Sequence, residues 1–100
     1  MYVVVRRDIP HQHQMAQACH GALEAGKVFN EVKCDPDSLI VIGVKNQEQL
    51  LKAQRKIEAA GIKTVGFWEP DWDYGWTSFG TEPLSQEQRI HMKGFQLWKP

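Results

Sequence analysis

Two stretches of the chain hold the side chains able to do chemistry. The first reads His11-Gln12-His13-Gln14-Met15-Ala16-Gln17-Ala18-Cys19-His20. Imidazole titrates near neutral pH, so a His20 held on a helix is a candidate general base. Taken alone, such a residue is more often a satisfied polar group at a helix–sheet boundary. His11, His13 and His20 also supply nitrogens of the kind zinc favours. A structural zinc wants four ligands, however, and no recognised spacing completes the set, so no metal is expected. The second stretch runs Glu69-Pro70-Asp71-Trp72-Asp73-Tyr74-Gly75-Trp76-Thr77-Ser78-Phe79-Gly80-Thr81. It joins carboxylates, which can activate water, to hydroxyls and glycines on a loop leaving a strand. A solvated acidic turn would have the same composition. Trp68, Trp72 and Trp76 offer faces on which bases can stack, although such aromatics also pack loops and subunit interfaces. Gly-x-Ser-x-Gly, a Walker loop and Cys-x-x-Cys are all missing from the sequence.

The elements that must position these residues are legible from local patterns. Tyr2–Arg6 is β-branched and aromatic and reads as a strand, which Asp8-Ile9-Pro10 breaks. From Gln12 to Phe29, Met15, Ala18, Cys19, Ala22, Gly26 and Phe29 recur at helical steps. That spacing predicts an amphipathic helix with Cys19 turned to the core, where a thiol is inert. Asn30–Asp37 reads as a loop. The continuous apolar run Ser38–Val44 predicts a strand covered on both faces. Asn46, with Gln49 three residues later, starts a second helix whose apolar face is Leu50, Ala53, Ile57 and Ala60, and Gly61 stands where a left-handed cap belongs. Ile62–Trp68 and Trp76–Glu82 are further strands, Ser85–Lys93 a final helix, and Phe95-Gln96-Leu97-Trp98 an apolar tail that docks on the body. Strands separated by helices imply a single α/β domain with partly parallel pairing and helices on both faces of the sheet.

Composition narrows the function classes. One hundred residues make one domain. The formal net charge is zero, which argues against strong non-specific nucleic-acid binding but leaves room for a local basic patch. No apolar run approaches the ~20 residues of a membrane span, and the charges at Arg6 and Arg7 follow the first apolar stretch instead of preceding it, unlike a signal peptide. Two cysteines, Cys19 and Cys34, are too few for a disulfide framework and are expected to be reduced thiols in a cytoplasmic chain.

Three ordered segments resemble the type II peptidyl-tRNA hydrolase family. The family opens with a strand reading Val-Val-Arg-x-Asp-Leu, and this chain has Val4-Val5-Arg6-Arg7-Asp8-Ile9. Its first helix carries Ala-Gln-Cys-Ser-His-Ala, where this chain has Ala16-Gln17-Ala18-Cys19-His20-Gly21. After its third strand comes Asp-Ala-Gly-x-Thr, matched by Asp73-Tyr74-Gly75-Trp76-Thr77. Together the segments span roughly residues 2 to 83. Two departures stand out. Pro10-His11-Gln12-His13-Gln14 replaces a Gly- and Lys-rich stretch and puts His13 at the position of the family's active-site lysine. The segment after Thr77 is also shorter.

The resemblance implies a four-stranded mixed sheet in a three-layer α/β/α arrangement. It also implies hydrolysis of the ester joining a peptide to the 3′ end of tRNA, without metal or organic cofactor. His20 or Asp73 would be the base or its orienting partner, and His13 and Thr77 the oxyanion donors. Either Asp71 or Asp73 can stand for the family aspartate, and Asp73 keeps step with Gly75 and Thr77. Gln17, Arg6, Arg7, Asp71 and Thr81 are expected to contact substrate, with Lys93 a further candidate for phosphate. The tryptophan-rich loop and apolar tail fit a homodimer. Loss of the lysine and the neutral net charge motivate a different reading, a tRNA- or protein-binding or regulatory domain on the same scaffold. A third is another hydrolase or transferase using His20 and the acidic loop.

Overall fold

A computed structural model describes residues 1–30 and 38–100, so Cys34 and most of the expected loop 30–37 lie outside the described residues. The chain runs β1 (Tyr2–Arg6), α1 (His11–Val28), β2 (Ile40–Val44), α2 (Gln47–Ala59), β3 (Thr64–Glu69) and β4 (Gly75–Thr81). The strands form one mixed sheet in the order β2-β1-β4-β3. β1 and β2 are parallel, while β4 pairs antiparallel with both β1 and β3. This is the four-stranded mixed α/β sheet expected, in one domain.

The period-two alternation of side chains along a strand divides the core between the two faces. Tyr2, Val4, Ile42 and Phe79 join Leu50, Ala53 and Ile57 of α2 in one cluster. On the opposite face, α1 sits close enough that a methyl built at Gly21 would meet the Ser78 side chain at 2.6 Å and Val3 at 3.4 Å. Central β1 is therefore buried on both faces, from Tyr2 to Val5.

Local signals explain the boundaries of α2. The Asn46 side chain accepts from the Gln49 backbone N–H at 2.9 Å. At the other end Gly61 takes φ +86°, with Gly61 N–H donating to the Glu58 carbonyl at 3.0 Å and Ile62 N–H to the Ile57 carbonyl at 3.4 Å. That is a Schellman closure, and it turns Ile62 back into the core. Asn46→Ala is expected to lower stability by about 1 kcal/mol. Urea unfolding followed by circular dichroism would check it, and an unchanged midpoint would show that the cap contributes nothing.

Four expectations need correction. The buried face of α1 is Gln14, Gln17, Gly21 and Ala25, whereas Met15 and Cys19 are exposed. The apolar spacing misled because the face toward the sheet carries two glutamines that find partners only in the tertiary fold. β2 is an edge strand with only Ile42 fully covered, not a strand buried on both faces. The last helix is a short 3₁₀ turn, Gln88–Met92, which buries Met92 and little else. Thr81, expected at the substrate, is fully buried opposite Thr64 at the start of β3. It accepts from Tyr2 N–H at 2.9 Å and donates to the Glu82 carbonyl at 2.8 Å.

The tail docks as expected. Leu97 bridges antiparallel to Ile42, Gly43 N–H donates to the Gln96 carbonyl at 3.2 Å, and Trp98 N–H donates to Val41 at 2.9 Å. The tail thus covers the free edge of β2, an edge that would otherwise offer unpaired backbone groups to another chain. Among the described residues, no helix is long and apolar enough to cross a membrane.

Candidate functional site

The carboxyl ends of β1 and β2 share one end of the sheet with the Glu69–Gly75 turn and the N-termini of both helices. In open α/β sheets this is where ligands bind. A β-bulge shapes it: the β3–β4 register shifts between Phe67 and Trp68, so that Phe67 faces Ser78 while Trp68 faces Trp76. Thr77 is the extra residue, and both Thr77 and Ser78 turn to α1. The Thr77 hydroxyl donates to Gln17 Oε1 at 2.6 Å and Ser78 Oγ to the Gln17 carbonyl at 2.7 Å.

Gln17 links this bulge to a carboxylate. Its Nε2 donates to Glu69 Oε1 at 2.8 Å, and the Asp71 backbone N–H approaches Glu69 Oε2 at 3.4 Å. Gln17, Glu69 and Thr77 are all buried. No cation pairs with Glu69 among the described residues. A carboxylate accepts about four hydrogen bonds, so both oxygens keep accepting capacity. The single hydroxyl proton of Thr77 is directed at Gln17, which leaves Thr77 an acceptor here and corrects its expected role as oxyanion donor.

One helical turn before Gln17, His13 stands on the same side of α1. Its Nδ1 lies 2.6 Å from the Tyr74 hydroxyl, and its ring is 4.6 Å from Trp72. In the tautomer where the phenol donates to Nδ1, the ring N–H is at Nε2, which has no partner among the described residues. His13 then presents one N–H donor without needing to be a cation.

The turn carrying these aromatics is strained. Trp72 and Asp73 take φ of 56° and 55°, a left-handed conformation that costs a non-glycine residue about 1–2 kcal/mol. Gly75 takes φ 70°, a conformation strained for any side chain, and a Cβ there would push Gln47 Oε1, 2.5 Å away, off the Trp76 N–H. Arg6 holds the turn by donating to the Tyr74 carbonyl at 2.7 Å while gripping both oxygens of Asp8 at 2.6 and 2.7 Å. Its guanidinium is therefore a clasp for the loop, not a free phosphate ligand. Arg7 reaches the Lys99 carbonyl at 3.3 Å, and Lys93 is exposed.

His20 and Asp73, the pair proposed from the sequence, make different contacts. His20 is exposed and stacks flat on Phe67, 4.4 Å between centroids. Asp73 is exposed and lines a small cavity of 220 Å³ with Gln47, Glu69 and Tyr74. No hydrogen bond joins His20 to Asp73 among the described residues, nor does Asp71 bring its side chain to the network. Glu69 and Tyr74 are the residues that sequence reasoning passed over. The available signal was a carboxylate closing an apolar strand, a position that points either into or out of a site depending on a register the sequence does not print. No group of three or more His, Cys, Asp or Glu side chains is arranged to hold a metal among the described residues.

Comparison with known proteins adds no family: no family model matches the chain, and no curated protein matches it significantly.

Proposed function

We propose that this chain is a peptidyl-tRNA hydrolase of the type II kind, cleaving the ester between peptide and tRNA with water as nucleophile. The observation that carries the reading is the buried Glu69 carboxylate joined through Gln17 to Thr77, one helical turn from His13. Glu69 is the base that takes one proton from the attacking water, and the Thr77 oxygen accepts a hydrogen bond from the O–H that the water keeps. His13 Nε2–H faces the developing oxyanion, the part a lysine would otherwise play. Donors and acceptors fixed before the reaction stabilise charge without reorganising during it. Trp72, 63% exposed beside His13, offers a face for the terminal base of the RNA. A four-stranded mixed sheet with helices on its two faces supports the reading at the level of coarse architecture.

Release of labelled peptide from peptidyl-tRNA by the folded chain tests this. Turnover is expected, and the His20→Ala and Asp73→Asn variants should stay within about threefold of it, since neither side chain joins the network. A well-folded chain with no turnover would overturn the reading. It would favour instead a tRNA- or protein-binding domain, a reading supported by the packing of His13 against Trp72 and Tyr74 in place of a mobile lysine.

A further inference from the structure

A second concave surface lies outside the network just described. It is a cleft of 410 Å³ between α2 and the C-terminal tail, floored by Val44, Ala53 and Phe95 and walled by Lys45, Lys52 and Lys56. All three lysines are exposed, and none forms an ion pair among the described residues. Lys56 Nζ is held 5.7 Å from the centre of the Phe95 ring, a cation–π contact that ties this ammonium to the cleft wall. In a chain of zero net charge, three unpaired cations around one cleft make a local positive field.

The cleft is continuous in the chain with the candidate site. Lys45 stands two residues before Gln47, whose side chain accepts from Trp76 N–H at 2.7 Å and lines the cavity beside Glu69. From Gln47 to Lys56 the helix advances about 14 Å. We infer that this lysine cleft holds phosphates of the tRNA that carries the peptide, leading its 3′ end to Glu69. The inference rests on the proposed hydrolase activity for the identity of its RNA. An apolar floor with an aromatic ring suits a nucleotide chain, which presents base faces as well as charge.

Neutralising three phosphates of a single strand makes the affinity fall with salt at a log–log slope of about −2. The test measures binding of a labelled, deacylated tRNA acceptor minihelix by fluorescence anisotropy across a salt series. Lys52→Gln/Lys56→Gln is expected to weaken binding about tenfold or more at low salt and to reduce the slope by about 1.4. Lys27→Gln/Lys63→Gln removes the same charge from the far end of the sheet and should change affinity less than about twofold. Equal weakening by both double variants would overturn the inference in favour of diffuse electrostatics. So would equally tight binding of a polyglutamate peptide of matched charge, which would point to an acidic protein instead.

Hydrolysis separates this inference from the proposed activity. With the phosphate-free ester 3′-O-(N-acetylaminoacyl)adenosine, kcat/KM should be unaffected by the cleft substitutions. With peptidyl-tRNA, the same substitutions should raise KM and leave kcat in place. If the wild type hydrolyses both esters and the cleft variant binds the minihelix normally, the cleft assignment falls and the activity stands. If the wild type hydrolyses neither ester, the activity falls, and the anisotropy series still judges the cleft.

Discussion

Glu69→Gln is expected to lower peptidyl-tRNA turnover by about 10²–10⁴-fold while the protein stays folded, the range over which a positioned general base contributes. The substitution isolates the chemistry well. A glutamine keeps the length and shape of the side chain, and its carbonyl oxygen can still accept from Gln17 Nε2, now at 2.8 Å from the carboxylate. What disappears is the ability to take a proton from water. The loss should appear in kcat as well as in kcat/KM, because the base acts only in the transition state. Circular dichroism and an unchanged urea midpoint would establish that the network still folds. Thr77→Val is the companion variant. It leaves Gln17 Oε1 without the hydroxyl it accepts at 2.6 Å, so it should lower stability by about 1–3 kcal/mol as well as activity. Should Glu69→Gln keep near wild-type turnover while Asp73→Asn abolishes it, the base would be the exposed aspartate, and the buried network would be a structural feature of the sheet end.

Gly80→Ala is expected to be the most damaging conservative change to the scaffold. A methyl at this position would lie 2.5 Å from the Ala25 Cβ and 2.8 Å from the Gly21 carbonyl oxygen. Neither obstacle is the far end of a flexible side chain, so relief requires α1 to move away from central β4. α1 is held there by the hydrogen bonds of Gln17 and by Gln14, which ties the helix to the β1–α1 turn at the Ile9 carbonyl, 2.7 Å, and to Trp98 Nε1, 2.7 Å. A cost of about 3 kcal/mol, the upper end for overpacking, lowers the melting temperature of a domain this size by roughly 10–25 °C. The same displacement would shift Gln17 and His13 away from Glu69 and Thr77, so activity at a temperature where the variant remains folded should also fall. Gly21→Ala meets the Ser78 hydroxyl at 2.6 Å and its Cβ at 3.1 Å, and turning the hydroxyl aside breaks its bond to the Gln17 carbonyl, but no backbone atom stands in the way, so the change should cost less than Gly80→Ala. A Gly80→Ala variant melting within a few degrees of the wild type would mean that helix and sheet have slack which the distances deny.

The aromatic turn and the clasp beneath it explain how a short loop can stay strained. Trp72 and Asp73 are left-handed, and the contacts that compensate come from elsewhere in the chain: Arg6 on the Tyr74 carbonyl, His13 on the Tyr74 hydroxyl, and the His13 ring against Trp72. Strain of this kind persists only where the surroundings over-determine it, and it gathers at functional positions. The Arg6–Asp8 pair, written in the sequence as part of the Val-Val-Arg-x-Asp segment, therefore has a physical task whatever the substrate. It fixes the turn that brings Tyr74 to His13.

Much of the molecule is decided locally and can be read from the order of residues. The β-branched run Tyr2–Arg6 makes a strand whatever surrounds it, and Asn46 with Gln49 starts α2 through a bond only three residues long. Gly61 ends that helix because a glycine takes φ +86° without a Cβ penalty. Alternation of these elements is enough for an α/β domain with partly parallel pairing and helices on both faces of the sheet. The site was legible only in part. His13, Gln17 and Thr77 could be singled out, but Glu69 could not be chosen over Asp71 and Asp73. That choice depends on a one-residue bulge in the β3–β4 pairing that turns Thr77 toward Gln17, and on which end of β3 meets α1, and Gln17 reaches Glu69 and Thr77 across 52 and 60 positions. The face of α1 was misread for the same reason. Hydrophobic spacing ranks residues by their dislike of water, and by that measure Gln14 and Gln17 belong outside. They are inside because the Arg7 and Ile9 carbonyls, Trp98, Glu69 and Thr77 satisfy each polar atom there, and only the tertiary structure brings those partners together.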